Sequence, residues 1–168
     1  MKLKAWHFLA SDKRLGYGDN RVVQVGKTYR YKGKEPIKLC KRGMHGSAKI
    51  LDALQYAPGP IICKVELGGE VIKGDDKAVA TDRKVLAMID GTKVLRKFAC
   101  MCALDVLPDD APEIVVRYLK TQDESIRDAA WCAARYAARA KNREQSYIAK
   151  QNTRLTRMVN RAIKEQSK

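Results

Sequence analysis

Apolar and polar positions alternate in short runs through the first half of the chain and recur at three- and four-residue steps through the second. Residues 3–9 (Leu3-Lys4-Ala5-Trp6-His7-Phe8-Leu9) alternate weakly and carry Trp6 and Phe8, which predicts a strand. Gly16, Gly18, Asp19 and Asn20 mark a loop. Val22–Val25 and Thr28–Tyr31 read as a hairpin around Gly26-Lys27, broken by Gly33 and Pro36, with a short strand at Ile37–Cys40. Ala48–Ala57 has apolar residues at 50, 51, 54 and 57, which predicts a helix with Ser47 as its N-cap and Pro58-Gly59-Pro60 as its stop. Ile61–Leu67 is the clearest strand, ending at Gly68-Gly69, and Val71-Ile72 continues the sheet. Gly74-Asp75-Asp76 is a turn, and Ala78–Ile89 is one further strand or helix.

The period changes near Asp90-Gly91. Val94, Leu95, Phe98, Met101 and Cys102 follow helical spacing, and Leu107-Pro108-Asp109-Asp110 ends that helix. Asp110 is placed to cap the next helix, with Pro112 near its first position. Residues 125–140 are alanine-rich, with Trp131 and Tyr136 as the large fillers of a plain helical layer. The last segment is polar and helical. Arg154, Arg157, Arg161, Lys164 and Lys168 share one face, while Leu155, Val159 and Ala162 form a thinner apolar face. The expected fold class is therefore α+β: a small mixed or antiparallel sheet domain over residues 1–90, then a helical region over 91–168 ending in a basic helix.

Composition adds three constraints. An apolar fraction of 45% in 168 residues is enough to bury a core. No run approaches the roughly 20 apolar residues of a membrane span, and the apolar stretch behind Met1-Lys2 is too short for a secretion signal. Five cysteines, an odd number set mostly in apolar runs, fit buried free thiols in a reducing compartment, so the expected location is the cytoplasm. The net charge of +15 is concentrated toward the C-terminal helix. It predicts a polyanionic partner, either nucleic acid or an acidic protein surface, and no membrane.

Candidate chemistry centres on Arg42-Gly43-Met44-His45-Gly46-Ser47, between a predicted strand and a predicted helix start. Gly43 and Gly46 would allow close backbone approach to a ligand, and the helix start would favour an anion. His45 and His7 are the two histidines of the chain, both in its strand-rich half, and histidine can donate, accept or shuttle protons near neutral pH. The plainer alternative is that each is a satisfied structural residue. Cys40, His45, Cys100 and Cys102 match no standard zinc spacing, so no metal is expected. Phosphate-loop, serine-elbow and HExxH motifs are absent.

Two resemblances extend this reading. Val25-Gly26-Lys27-Thr28-Tyr29, Cys40-Lys41-Arg42-Gly43-Met44-His45, Asp52-Ala53-Leu54-Gln55-Tyr56, Val65-Glu66-Leu67-Gly68 and Asp75-Asp76-Lys77-Ala78-Val79-Ala80 resemble the motifs of an uncharacterised family of phage and prophage proteins. That resemblance implies an accessory role against a host or defence target. Separately, Trp6-His7, Gly43–Ser47, Tyr56 and Val65–Gly68 resemble the NAD-binding core of ADP-ribosyltransferases of the poly-ADP-ribose polymerase type. The second resemblance implies an NAD-type cleft bound by Arg42, Gly43, Met44, Gly46, Ser47 and Tyr56. It implies catalytic positions at His7 and His45. His45 replaces that family's first tyrosine, and the family's catalytic glutamate would fall near Lys77, leaving Asp75, Asp76 or Asp82 as substitutes, with Asp82 the chosen candidate. Two functions follow as expectations. One is an ADP-ribosyltransferase-like protein docking its target through Arg154, Arg157, Arg161 and Lys164. The other is a non-catalytic, anti-defence binder of nucleic acid or a host complex that uses the same basic stripe.

Overall fold

The computed structural model describes residues 2–16, 18–107, 109, 111–126 and 145–167. It is α+β, with one antiparallel sheet of five strands and, among the described residues, four α-helices. The strands are β1 (Leu3–Leu9), β2 (Thr28–Arg30), β3 (Met44–Gly46), β4 (Ile61–Lys73) and β5 (Ala78–Asp90). The helices are α1 (Ile50–Leu54), α2 (Thr92–Leu104), α3 (Glu113–Thr121) and α4 (Gln145–Gln166), with a 3₁₀ turn at Glu124–Ile126. The alanine-rich stretch with Trp131 and Tyr136, and Asp110 as a cap, lie outside the described residues, apart from Ser125 and Ile126 in the 3₁₀ turn.

Two compact units divide the chain: residues 1–92 together with 155–168, and residues 93–154. In the second, Gln151 of α4 is buried. Its amide donates to Asp105 Oδ2 at 2.7 Å, and its carbonyl accepts from Cys102 Sγ at 3.3 Å.

The first unit holds the sheet, in the order β1-β4-β5-β2, with β3 also on β5. β4 and β5 form one long hairpin closed at Gly74, whose amide donates to Lys77 O at 2.8 Å. Register shifts between Lys64 and Val65 and between Gly68 and Val71 bend it, as extra residues in a ladder do. β2 and β3 lie one after the other on the same edge of β5. Ser47, next after β3, then exchanges backbone hydrogen bonds with Trp6 of β1 at 2.8 and 2.9 Å. Backbone pairing therefore runs from β1 through β4, β5 and β3 and returns to β1, and the sheet curls around an interior.

Strand alternation sorts the residues. Ala5, Leu9, Ile61, Cys63, Val65, Leu67 and Val85 point inward and form the main core, joined by Tyr29 and Met44. Trp6, Phe8, Ile62 and Ile89 are buried on the opposite face. The C-terminal half of α4 lies on this second face. Leu155 and Val159 are fully buried, Ile163 borders a small hollow with Ala87 and Ile89, and Lys64 donates to Asn160 Oδ1 at 3.4 Å.

Four sequence expectations are corrected. Thr28–Arg30 pairs with β5 rather than with residues 22–25, because the long edge of β5 offers it a full ladder. The 22–25 loop is held instead by the Tyr29 hydroxyl, which donates to Val22 O at 2.9 Å and accepts from Gln24 N at 2.8 Å. Residues 37–40 form no strand. Cys40 has φ 64 and sits in a tight turn closed by the Lys38–Arg42 bridge. The helix predicted over 48–57 covers only Ile50–Leu54, with Lys49 rather than Ser47 at its N-cap and no side-chain cap. Ser47 is unavailable because its backbone belongs to the sheet. Finally, the segment predicted to be a strand-to-helix turn is itself the strand β3.

Candidate functional site

β3 and β1 bring the two histidines to one place. His7 faces inward from β1 opposite Cys63, and His45 lies on β3 opposite Val79. Arg83, on the inward phase of β5 opposite Leu67 and Tyr29, lies near both. Arg83 is 4% exposed, while both histidines are half-buried. Its Nη1 donates to His45 O at 2.9 Å, pinning β3 to the interior. Among the described residues Arg83 Nε and His45 Nε2 are buried without a hydrogen-bond partner.

A guanidinium in this position is costly unless something compensates it. Among the described residues Arg83 makes no ion pair. Asp19 is near enough to favour its charge, but its carboxylate already accepts from Arg21 Nε at 2.8 and 3.1 Å and also pairs with Arg21 Nη2. Burial lowers the Arg83 pKa to about 10, which still leaves it charged at neutral pH. Desolvation and then the Arg83 charge hold His7 well below its ordinary 6.5, with a smaller push from His45. Desolvation also lowers His45; a bond to the Gly43 backbone opposes this, and the charges of Lys77 and Arg83 add to it. Burial pushes the Cys63 thiol up to about 12, so it is no nucleophile. Two neutral imidazoles around one buried cation make an electropositive interior.

Stability should depend on pH through this cluster. The unfolded chain takes up protons on both imidazoles near about 6.5, and the folded chain does not. Their contribution is intact above that pH and is lost as pH falls toward the lowered folded values. The urea midpoint should drop between about pH 7.5 and about pH 5.5, and His7→Asn should make the drop shallower. An equal slope in the variant would show that His7 is not desolvated.

The remaining sequence candidates separate. Tyr56 is exposed; its hydroxyl donates to Asp76 Oδ2, and the Lys77 ammonium lies 3.8 Å from its ring centroid. Lys77, which stands where the resemblance would place a catalytic glutamate, thus covers the ring that would stack a nicotinamide. Asp82 alternates with Arg83, so its carboxylate is on the opposite face of the sheet, 3.7 Å from Arg30 Nε. Arg42 pairs with Glu35 and donates from Nε to Pro36 O at 3.2 Å. Met44 and Ser47 are buried. Gly43 and Gly46 approach protein atoms rather than a cleft: a Cβ at Gly46 would meet Ala5 Cβ and Trp6 O, both at 3.2 Å. Among the described residues no group of three or more His, Cys, Asp or Glu side chains is placed to hold a metal.

On the C-terminal helix, Arg157, Arg161 and Lys164 are exposed along one face. Arg154 is set apart from them by its ion pair with Asp105 at 2.6 Å, which with Gln151 lowers the Asp105 pKa. Sequence reasoning missed Arg83 and the sheet lysines. Arg83 had a signal: it shares strand parity with Val85, the apolar inward phase.

The fold and this cluster define a small α+β domain with a cationic interior and a basic helix across its sheet. The chain belongs to the family described as a domain of unknown function (DUF7666), whose family model matches residues 4–97. Searches of curated proteins and of solved structures give no match. Among the described residues no helix is long and apolar enough to cross a membrane.

Proposed function

We propose that the protein is a non-catalytic nucleic-acid binder whose contact surface is the exposed face of α4 together with the adjoining sheet. The carrying observation is the continuity of positive charge from helix to sheet. Arg157, Arg161 and Lys164 flank Asn160, which accepts from Lys64. Lys64 also lies 5.7 Å over the Trp6 ring. Next along the same sheet face come Lys4, Glu66 and Lys84 in one register row. Glu66 is paired with Lys2 at 3.0 Å, which leaves Lys4 and Lys84 without an ion pair among the described residues. The Arg161–Glu165 pair at 2.8 Å is solvent-exposed and, like such pairs generally, weak. Phosphates compete well for cations held this loosely. The phage-like motifs fit a defence-blocking role in which this surface occupies the nucleic-acid groove of a host complex.

The test is fluorescence anisotropy with labelled single-stranded DNA, duplex DNA and RNA across a salt series. Substituting Arg157, Arg161 and Lys164 with Gln should weaken binding about tenfold or more and flatten the salt slope by about 0.7–0.9 for each phosphate no longer neutralised. Unchanged affinity and slope would remove the basis of the proposal. Tight binding of an acidic protein with no nucleic-acid affinity would replace it with the other partner class.

A second reading rests on the meeting of His7 and His45 at Arg83. It is an NAD-type nucleotide site of the ADP-ribosyltransferase kind, used for binding rather than transfer. Transfer needs a carboxylate at the ribose, and here Asp82 lies across the sheet while Asp76 accepts from Tyr56. Calorimetry with NAD and ADP-ribose tests it, and absence of heat with both would end it.

A further inference from the structure

We propose that Arg83, His7 and His45 form a buried binding site for a phosphate-type oxyanion within the sheet domain. The inference deepens the nucleotide reading by naming the group held, and it is independent of the basic helix face.

The strongest support is what Arg83 lacks. A guanidinium presents five N–H donors in a planar fork and is suited to a two-pronged oxyanion. Arg83 is buried, gives Nη1 to the His45 carbonyl, and leaves Nε buried and unpartnered. His45 Nε2 is the other buried side-chain atom without a partner among the described residues, and it belongs to the residue that Arg83 already touches. One orphaned nitrogen belongs to the buried cation and the other to the residue whose carbonyl that cation holds, and a bound oxyanion would satisfy both. It accepts from Arg83 Nε, and it accepts from His45 Nε2 once that nitrogen carries a proton.

Charge around the cluster points the same way. The groups that act on the two imidazoles are Arg83 and Lys77 together with the imidazoles themselves, all cationic or neutral. Cys63 is a neutral thiol, and Tyr29 spends its hydroxyl on Val22 and Gln24. Asp19 faces Arg83 but is clamped by Arg21. Among the described residues no carboxylate forms an ion pair with Arg83. Both histidines keep partial exposure to solvent. Bound charge there would restore proton affinity to both imidazoles, because an adjacent anion favours the protonated ring.

The two histidines of the chain both border the site, so imidazole nitrogen NMR on the tag-free, ¹⁵N-labelled full chain reads it directly. Inorganic phosphate, pyrophosphate and ADP-ribose are titrated separately at constant ionic strength. Both imidazole signals should move along one saturable curve toward the protonated form, and binding should tighten as pH falls from about 7.5 to about 6. Similar midpoints for phosphate and ADP-ribose assign free phosphate. A midpoint at least about tenfold lower for ADP-ribose assigns the phosphates of a nucleotide. Arg83→Gln should abolish the response and Arg83→Lys should keep part of it. If Arg83→Gln does not fold, His45→Asn serves in its place, with His7 still reporting and the midpoint raised about fivefold or more. Failure of either imidazole to respond saturably up to tens of millimolar phosphate overturns the site, as does an unchanged midpoint in the Arg83 and His45 variants. Substituting Arg157, Arg161 and Lys164 with Gln should leave the response intact, which separates this site from the nucleic-acid surface.

Discussion

Gly43→Ala should destabilise the sheet domain by about 2–4 kcal/mol, combining backbone strain with overpacking. Gly43 has φ 120, a conformation that side-chain-bearing residues rarely adopt. The space for a Cβ is also taken: it would overlap Val79 Cγ2 and come within 3.1 Å of Ile37 Cγ2 and 3.2 Å of Ala80 O. Neither neighbour can move cheaply. Val79 is fully buried and pairs with His45, while Ala80 O belongs to the β5 backbone that pairs with Met44. The displaced strand would be β3, which closes the sheet against β1 and holds His45 against Arg83. The variant should therefore lose stability and also the shared response of the two imidazoles to phosphate. Gly68→Ala is the control. No atom lies within 4 Å of a Cβ built there, so the change should stay within about 0.5 kcal/mol of neutral or stabilise slightly. Denaturant midpoints for the two variants give the comparison, and equal midpoints would mean that β3 does not need its glycine.

How legible the fold is in the sequence depends on whether a signal is local. β1, the Ile61–Leu67 part of β4, the Gly74 turn and the start of α2 all follow from alternation, turn residues and helical spacing. The strand-or-helix ambiguity over 78–89 resolves as β5 because its partner β4 is long enough to pair with nearly all of it. Local pattern misleads where tertiary pairing overrides it. Ser47 looks like a helix cap, but Trp6 claims its backbone, and α1 cannot begin until the chain has left the sheet. Residues 37–40 have strand-like composition yet close a tight turn through the Lys38–Arg42 bridge.

The site is half legible for the same reason. Scarcity draws attention to His7 and His45, and the fold does bring them near each other. Gly43 and Gly46 suggest ligand-facing glycines, whereas their missing side chains make room for Val79, Ile37 and Ala5. Asp82 stands out as a spare carboxylate, and strand parity sends it to the far face. Arg83, one position on, shares the inward phase with Val85, and that phase is the overlooked signal. On α4 the stripe follows from spacing alone. Arg154 fits the spacing, but Asp105 neutralises it, a long-range pairing no helical wheel reveals.

Leu155→Ala should cost about 2–5 kcal/mol, the usual range for truncating a fully buried leucine. Leu155 and Val159 are the fully buried residues, or seam, of the half of α4 that meets the sheet at Lys64 through Asn160 and borders Ala87 and Ile89 at Ile163. The thin apolar face read from the sequence thus has Leu155 and Val159 fully buried in the structure. A functional consequence follows. The proposed nucleic-acid surface would join Arg157, Arg161 and Lys164 to Lys64, Lys4 and Lys84 only while the helix is docked, with Asn160 beside Lys64. Loosening the seam removes no charge but destroys the alignment of the two halves. Leu155→Ala should therefore weaken nucleic-acid binding as well as stability, and hydrogen exchange should quicken in α4 before it does in β4 and β5. A variant that loses stability yet binds with unchanged affinity and salt slope would confine the contact surface to the helix. A variant that loses less than about 0.5 kcal/mol would show that the helix does not depend on this seam.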